Sequence, residues 1–257
     1  MGPGVIRIAG ARQVGRSHRA TLTPCQDQVI VRSIDGAACI ALADGAGSKS
    51  RSETGAKLAC KYTVSIVLEK FDFLYEQIQS NPEVAVETML TPIVAALHRY
   101  IRRKKETIDC LASTLLFVAY KGGRYIAGHV GDGAIGIRVN GVVSTLSMPE
   151  NGEYANTTYF LTDDGAARHF RVYRGEASPG FGAIVMSDGT AESLFDRSSN
   201  RLGVAADRMM DWSDRLPTKK MSKVLNINLE QVFSKKSADD CSIAVMTVLA
   251  GDQSLGI

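Results

Sequence analysis

The chain has 257 residues, 45% of them hydrophobic, enough to bury a substantial core within the size range of one domain. Its 30 basic and 27 acidic side chains leave a net charge of +3, too even a balance to point to nucleic acid or an anionic membrane surface. Met1 to Ala11 has neither a basic start nor an apolar run of signal-peptide length, Ile6 stands where a myristoylation motif needs Ser or Thr, and no stretch approaches the roughly 20 apolar residues of a membrane span, so a soluble protein is expected.

Hairpin signals come early. Val29 to Ser33 and Ala38 to Ala43 flank Asp35-Gly36, a favoured two-residue turn, and predict an antiparallel pair. From Glu53 to Lys70, Ala56, Ala59, Cys60, Thr63 and Val67 recur at helical spacing, with Ser50 or Ser52 as candidate caps. A second helix is predicted from Pro82 to about Lys105, with Val86, Leu90, Ile93, Leu97 and Ile101 on one face and Pro92 as a point of kinking or division. The basic run Arg102 to Lys105 then reads as a solvated helix end.

Strands dominate the next stretch. Ser113 to Tyr120 and Arg124 to Val130 pair around Gly122-Gly123, and Ala134 to Val139 and Val142 to Leu146 around Asn140-Gly141. Thr158 to Thr162, Arg168 to Tyr173, Ala183 to Ser187 and Ser242 to Leu249 supply further strands, and a helical pair fills Leu202 to Phe233. Residues 148–157 are polar, contain Pro149 and Gly152, and read as a loop. Hairpins rather than β-α-β alternation imply antiparallel sheets with helices on their outer faces, in a single domain over residues 1–257.

Acidic residues stand at the ends of several of these strands: Gln26-Asp27, Asp44-Gly45, Gly131-Asp132-Gly133, Ser187-Asp188-Gly189 and Asp239-Asp240. Carboxylates at strand ends of one sheet system converge, and oxygen-only ligands suit hard cations such as Mg2+ or Mn2+. Crowded carboxylates repel one another unless cations neutralise them. Two cations roughly 4 Å apart can acidify a water and clamp phosphate oxygens during in-line displacement. The chain has neither a G-x-S-x-G elbow nor a phosphate-cradling G-x-x-x-x-G-K. Gly131 to Gly136 matches G-x-G-x-x-G, but a strand follows it rather than the helix that dinucleotide binding requires. Asp35-Gly36 is plain hairpin chemistry, and Asp163-Asp164 with Gly165 reads as a turn.

This ordered set, from Gln26-Asp27 through Ala43-Asp44-Gly45-Ala46-Gly47, Ser113-Thr114, Val130-Gly131-Asp132 and Leu161-Thr162-x-Asp164 to Ser187-Asp188-Gly189 and Asp239-Asp240-x-Ser242, resembles the metal-dependent type 2C (PPM family) protein serine/threonine phosphatases, in particular their small single-domain bacterial members. The resemblance implies an α+β fold, a four-layer α-β-β-α sandwich of two stacked, mainly antiparallel sheets flanked by helix pairs. It also implies a centre of two Mn2+ or Mg2+ ions per chain whose bound hydroxide hydrolyses phosphoserine and phosphothreonine esters, with a third, weaker site. By position, Asp44 would bridge the two metals, the Gly45 carbonyl would bind one, Asp188 and Asp239 would complete the other, and Asp27 would hold metal-bound waters. Asp132 and Glu192 would serve the third metal, while Asp240 stands outside the ligand set. A phosphorylated protein, a cognate kinase, a monomeric state and bacterial signalling follow as expectations.

Two departures bear on mechanism. The arginine with which many family members grip phosphate falls at Leu22, leaving His18 and Arg19 as nearby substitutes, and His18 can also supply a proton to the leaving group. Ala46 stands where eukaryotic members often carry a histidine, and Gly133-Ala134 replaces an arginine after Asp132. These departures motivate two alternatives: a low-activity phosphoprotein-binding regulatory domain of the same fold, or a phosphatase of small metabolites. Cys25, Cys39, Cys60, Cys110 and Cys241 form no C-x-x-C pair and are odd in number, which favours free thiols in a reducing cytoplasm.

Overall fold

The computed structural model describes residues 4–150 and 158–249. In chain order it holds β1 (Val5–Gln13), α1 (Arg16–Thr21), β2 (Gln28–Ile34), β3 (Ala37–Ala43), α2 (Ser52–Glu69), α3 (Phe71–Ser80), α4 (Pro82–Arg102), β4 (Leu115–Lys121), β5 (Arg124–Val130), β6 (Ala134–Val139) and β7 (Val142–Ser147). These are followed by α5 (Ala166–His169), β8 (Arg171–Glu176), β9 (Gly182–Met186), α6 (Asp188–Leu194), β10 (Phe195–Asp196), β11 (Arg201–Leu202), α7 (Val204–Arg215), α8 (Thr218–Asn228), a π-turn over Leu229–Phe233, α9 (Ser234–Lys236) and β12 (Cys241–Leu249).

Two five-stranded antiparallel sheets, ordered β1-β12-β9-β6-β7 and β2-β3-β4-β5-β8, stack face to face. Period-two alternation decides what each strand buries. On β3, Ala38, Ile40 and Leu42 enter the core between the sheets, while Cys39, Ala41 and Ala43 join the outer core under α2, α3 and α4. A third core, with Ile184, Met186, Ile243 and Val245, lies between the first sheet and α6 to α8. The result is the expected four-layer α-β-β-α sandwich.

Three tight hairpins fix the register. Asp35-Gly36 and Asn140-Gly141 take φ of 47° and 75° and of 51° and 76°, the left-handed pair of a type I′ turn, and Gly122-Gly123 joins β4 to β5 likewise. In the first, Ile34 pairs with Ala37 and Gln28 with Ala43, so the residues preceding β2 and following β3 emerge side by side.

Several local expectations need correction. β1 was not foreseen, and neither was α3, which buries Phe71, Leu74, Tyr75 and Ile78 between the two predicted helices. Neither Ser50 nor Ser52 caps α2: the boundary residue is Arg51, without a side-chain cap bond, and the Ser52 hydroxyl donates to the Lys49 carbonyl. α4 runs unbroken through Pro92, because burial of Leu90, Ile93 and Leu97 holds both halves to one core, and it is Asn81 that caps it by accepting from the Val84 amide. Thr158 to Thr162 forms no named strand. The Asp163 carboxylate instead accepts from the Phe160 amide and closes a turn, while a helical turn at Ala166–His169 precedes β8. The 148–157 loop falls mostly outside the described residues. Among the described residues no helix is long and apolar enough to cross a membrane.

Candidate metal centre

The register brings the acidic motifs to one end of the sandwich. Asp27 directly precedes β2 and Asp44 directly follows β3, whose end residues Gln28 and Ala43 are paired. Asp132 lies in the turn between β5 and β6, Asp188 opens α6 after β9, and Asp239 lies just before β12, which pairs with β9. Asp44 is held by a reciprocal pair of bonds: its amide donates to the Thr114 hydroxyl at 2.9 Å, and the Thr114 amide donates to the Asp44 carbonyl at 2.8 Å. Gly45 is needed for close approach, since a Cβ there would stand 2.8 Å from the Ser52 carbonyl carbon and 2.9 Å from the Gln26 carbonyl oxygen.

Electrostatics shows that the carboxylates share one neighbourhood. Asp27 is completely buried, and its pKa is raised to about 7, chiefly by desolvation and then by the charges of Asp240 and Asp188, with the Ser242 hydroxyl and Asp44 partly offsetting the rise. Asp188 is also raised to about 7 by burial and by Asp132 and Asp239. Asp44 is raised well above the usual carboxylate range by burial and by Asp27, Asp188, Asp239 and Asp132 together. Asp132 is raised by burial, against the Thr158 hydroxyl that donates to it and the Arg197 cation nearby.

Both carboxylate oxygens of Asp27 are buried without an aligned hydrogen-bond partner. A buried, partnerless carboxylate is costly, and a cluster of hard oxygen donors with raised pKa values fits a divalent cation as the missing partner. Among the described residues, no three His, Cys, Asp or Glu side chains already stand close enough to hold an ion.

Other predicted residues sort differently. Glu192 is exposed on α6, four positions beyond Asp188, and lines a shallow depression with Asp196 and Arg197. Leu22 ends α1 in the left-handed region at φ 58° and is 93% exposed, an apolar side chain with no donor for phosphate. Arg19 is exposed, and its guanidinium lies 3.4 Å from the Ser234 hydroxyl, directed at α9. His18 is half-buried, with Nδ1 3.0 Å from Asp240 Oδ1. Ser187 is the boundary residue of α6, and its hydroxyl accepts from the Ser242 amide.

Sequence reasoning missed three contributors. Asp240, left aside as a ligand, is buried and structural: Oδ1 accepts from the Gly15 amide at 2.7 Å and Oδ2 from the Gln26 amide at 2.6 Å. Arg12, at the end of β1, donates to the Asp27 carbonyl at 2.5 Å and the Cys25 carbonyl at 3.4 Å. Arg197 acts on Asp132 from the segment between β10 and β11. Only the doubled Asp239-Asp240 could have flagged any of these, because the others depend on distant chain segments meeting. The Cys25 and Cys241 thiols are held neutral, Cys241 pushed up to about 12, by burial and then by the neighbouring carboxylates.

A double antiparallel sandwich with a carboxylate cluster at one end of its strands defines a class of phosphoric monoester hydrolases, and the comparisons place the chain within it. The model of the family described as Protein phosphatase 2C matches residues 14–230, and the chain belongs to that family. It is 27% identical over 176 residues to Serine/threonine-protein phosphatase 3 of Escherichia coli (strain K12), covering 65% of this chain and 67% of that protein. Among solved structures it is similar to PppA, a regulatory component of T6SS in Pseudomonas aeruginosa, at TM-score 0.64 and 14% identity, covering 95% of this chain and 98% of that one. The catalytic domain of the serine/threonine phosphatase PstP, solved with two manganese ions, gives TM-score 0.62 and 16% identity over 95% of this chain and 99% of that one. At these identities the structural likeness establishes the shared fold.

Proposed function

We propose that the protein hydrolyses phosphoserine and phosphothreonine esters of phosphorylated proteins, at a centre in which Asp44, the Gly45 carbonyl, Asp188 and Asp239 hold two Mn2+ or Mg2+ ions and Asp27 orders water beside them. Asp132, with Glu192, would serve a weaker third site. The observation that carries this reading is Asp27, whose two buried oxygens have no aligned hydrogen-bond partner and stand among neighbouring carboxylates of raised pKa. The bound cations would supply charge neutralisation for the phosphate oxygens and acidification of the attacking water.

The chain's own residues do the rest. The Thr114 bonds fix Asp44, Asp240 fixes the segment from Gly15 to Gln26, and Arg12 fixes the backbone at Asp27. His18 is half-buried beside Asp240, and Arg19, directed at Ser234, would have to turn away from it to contact substrate. The catalytic unit is taken to be the whole sandwich as one domain, acting as a monomer opposite a protein kinase. All five cysteines are free, which suits a reducing cytoplasm.

The exposed Leu22 and the diverted Arg19 favour one competing reading, a regulatory domain that binds phosphoprotein with little turnover. Release of phosphate from a phosphothreonine peptide, with and without Mn2+, for wild type and Asp188→Asn decides between them. Metal-dependent release abolished by the substitution supports the phosphatase, whereas tight peptide binding without release in either protein supports the regulatory domain. Turnover confined to small phosphate esters would make the substrate a metabolite.

A further inference from the structure

The Asp240 carboxylate has a second neighbour besides the two amides it accepts from. His18 Nδ1 stands 3.0 Å from Oδ1, an ion-pair distance at an angle short of a hydrogen bond. Asp240 is 1% exposed, and its position is fixed by the Gly15 and Gln26 amides, so it is a rigid support for the ring. The ring's other nitrogen lies beside the segment that follows Asp44-Gly45: a Cβ built on Gly47, two residues after Gly45, would lie 4.0 Å from His18 Nε2 and 3.8 Å from Gln26 Oε1.

The support is built by the fold. α1 begins at Gly15, where a side chain is excluded because a Cβ would stand 2.3 Å from the Asp239 carbonyl. The Ser17 amide donates to the Ala238 carbonyl at 3.0 Å and Arg16 Nε to the Ser237 carbonyl at 3.1 Å, which hold α1 against the segment entering β12. The cations on α1 point elsewhere, Arg16 to Ser237 and Arg19 to Ser234, and Asp240 is the carboxylate at ion-pair distance from Nδ1.

Resting on the phosphatase reading, we propose that His18 is the proton donor to the leaving alkoxide and that Asp240 is its positioning residue. As the ester P–O bond breaks, its electron pair stays on the serine or threonine oxygen, which takes the proton from Nε2 of the imidazolium. Water adds its oxygen to phosphorus and keeps one hydrogen in the product phosphate. Its other proton restores His18. The sum is water plus phosphate ester giving alcohol plus hydrogen phosphate. Asp240 holds the Nδ1 side of the ring and so orients Nε2, the division of labour seen wherever a carboxylate orients a catalytic histidine. The device replaces what Ala46 lacks with a residue from a different segment of the chain.

Leaving-group dependence tests the proposal, because an alkoxide needs a proton and a nitrophenolate hardly does. With Mn2+ present, His18→Asn should lower kcat on a phosphothreonine peptide by about 10²–10⁴-fold, and the loss on p-nitrophenyl phosphate should be smaller by about tenfold or more. Asp240→Asn should show the same split with a smaller loss. In the metal-free protein, ¹⁵N shifts of His18 should show the neutral ring protonated at Nδ1 in wild type and shifted toward Nε2–H in Asp240→Asn. Equal losses on both substrates, or an unchanged tautomer, would overturn the proposal while leaving the phosphatase reading intact. Absence of Mn2+-dependent turnover of either substrate by wild type would overturn both. Should Asp240→Asn fail to fold, His18→Asn decides alone, since it leaves the Asp240 bonds to Gly15 and Gln26 in place.

Discussion

Asp44 and Thr114 exchange two hydrogen bonds, amide to hydroxyl at 2.9 Å and amide to carbonyl at 2.8 Å, tying the end of β3 to the residue before β4. Thr114 is 2% exposed, so Thr114→Val keeps the shape but leaves the Asp44 amide without its acceptor. We expect a loss of about 1–3 kcal/mol in urea unfolding, together with weaker Mn2+ binding, because the carboxylate above that amide loses its fixed position. Full stability and affinity in the variant would show that the bond does not position Asp44.

A pH dependence follows from the crowding. Asp27 and Asp188 stand at about 7 and Asp44 well above its ordinary value, so the folded metal-free protein holds protons that the unfolded chain has released. This contribution to stability is complete below about pH 4 and is lost as pH rises through the folded-state values. The urea midpoint of chelator-treated protein should therefore fall between about pH 5 and pH 8, and Asp27→Asn should flatten the fall. Saturating Mn2+ should reverse it, since cations compete with those protons. A midpoint that rises with pH in the chelated protein would contradict the assignment.

Arg138, 6% exposed, joins the first sheet to α7: its guanidinium bonds Asp211 at 3.0 Å and Asp214 at 2.6 Å, and its Nε donates to the Gly180 carbonyl at 3.1 Å. Both aspartates keep access to water and can be resolvated, so Arg138→Ala should cost about 1–3 kcal/mol, below the 3–5 of a fully buried pair. Metal affinity per folded molecule should not change, because the pair lies outside the carboxylate cluster. Chemical unfolding and Mn2+ titration of one preparation check both halves.

Leu22 occupies the left-handed region at φ 58° while 93% exposed, so it bears backbone strain with almost no burial in return. Leu22→Gly should stabilise the protein by up to about 1 kcal/mol. A lower thermal midpoint would show that the side chain makes contacts that its exposure does not suggest.

The hairpins and the buried strands were legible because Asp35-Gly36, Gly122-Gly123 and Asn140-Gly141 punctuate them, and the long apolar faces of α2 and α4 gave those helices away. β1 escaped because Gly10 and small alanines break its pattern: Gly10 packs where a Cβ would stand 2.5 Å from Val29 Cγ1, a contact between sheets that no local window contains. α3 carried the i, i+3, i+4, i+7 signal at Phe71, Leu74, Tyr75 and Ile78, but it is short and lies between longer helices. In the site, strand-end acids could be read one by one. The work of Asp240 could not, since its partners Gly15, His18 and Gln26 are more than two hundred residues away along the chain.

The central claim is that the cluster around Asp27 and Asp44 is a cation site, and equilibrium Mn2+ binding tests it most directly. Titration followed by electron paramagnetic resonance should show at least two Mn2+ bound per chain in wild type, with Asp44→Asn losing both strong sites while remaining folded by circular dichroism. Wild-type protein that binds no Mn2+, or an Asp44→Asn protein that binds it as tightly as wild type, would contradict the account.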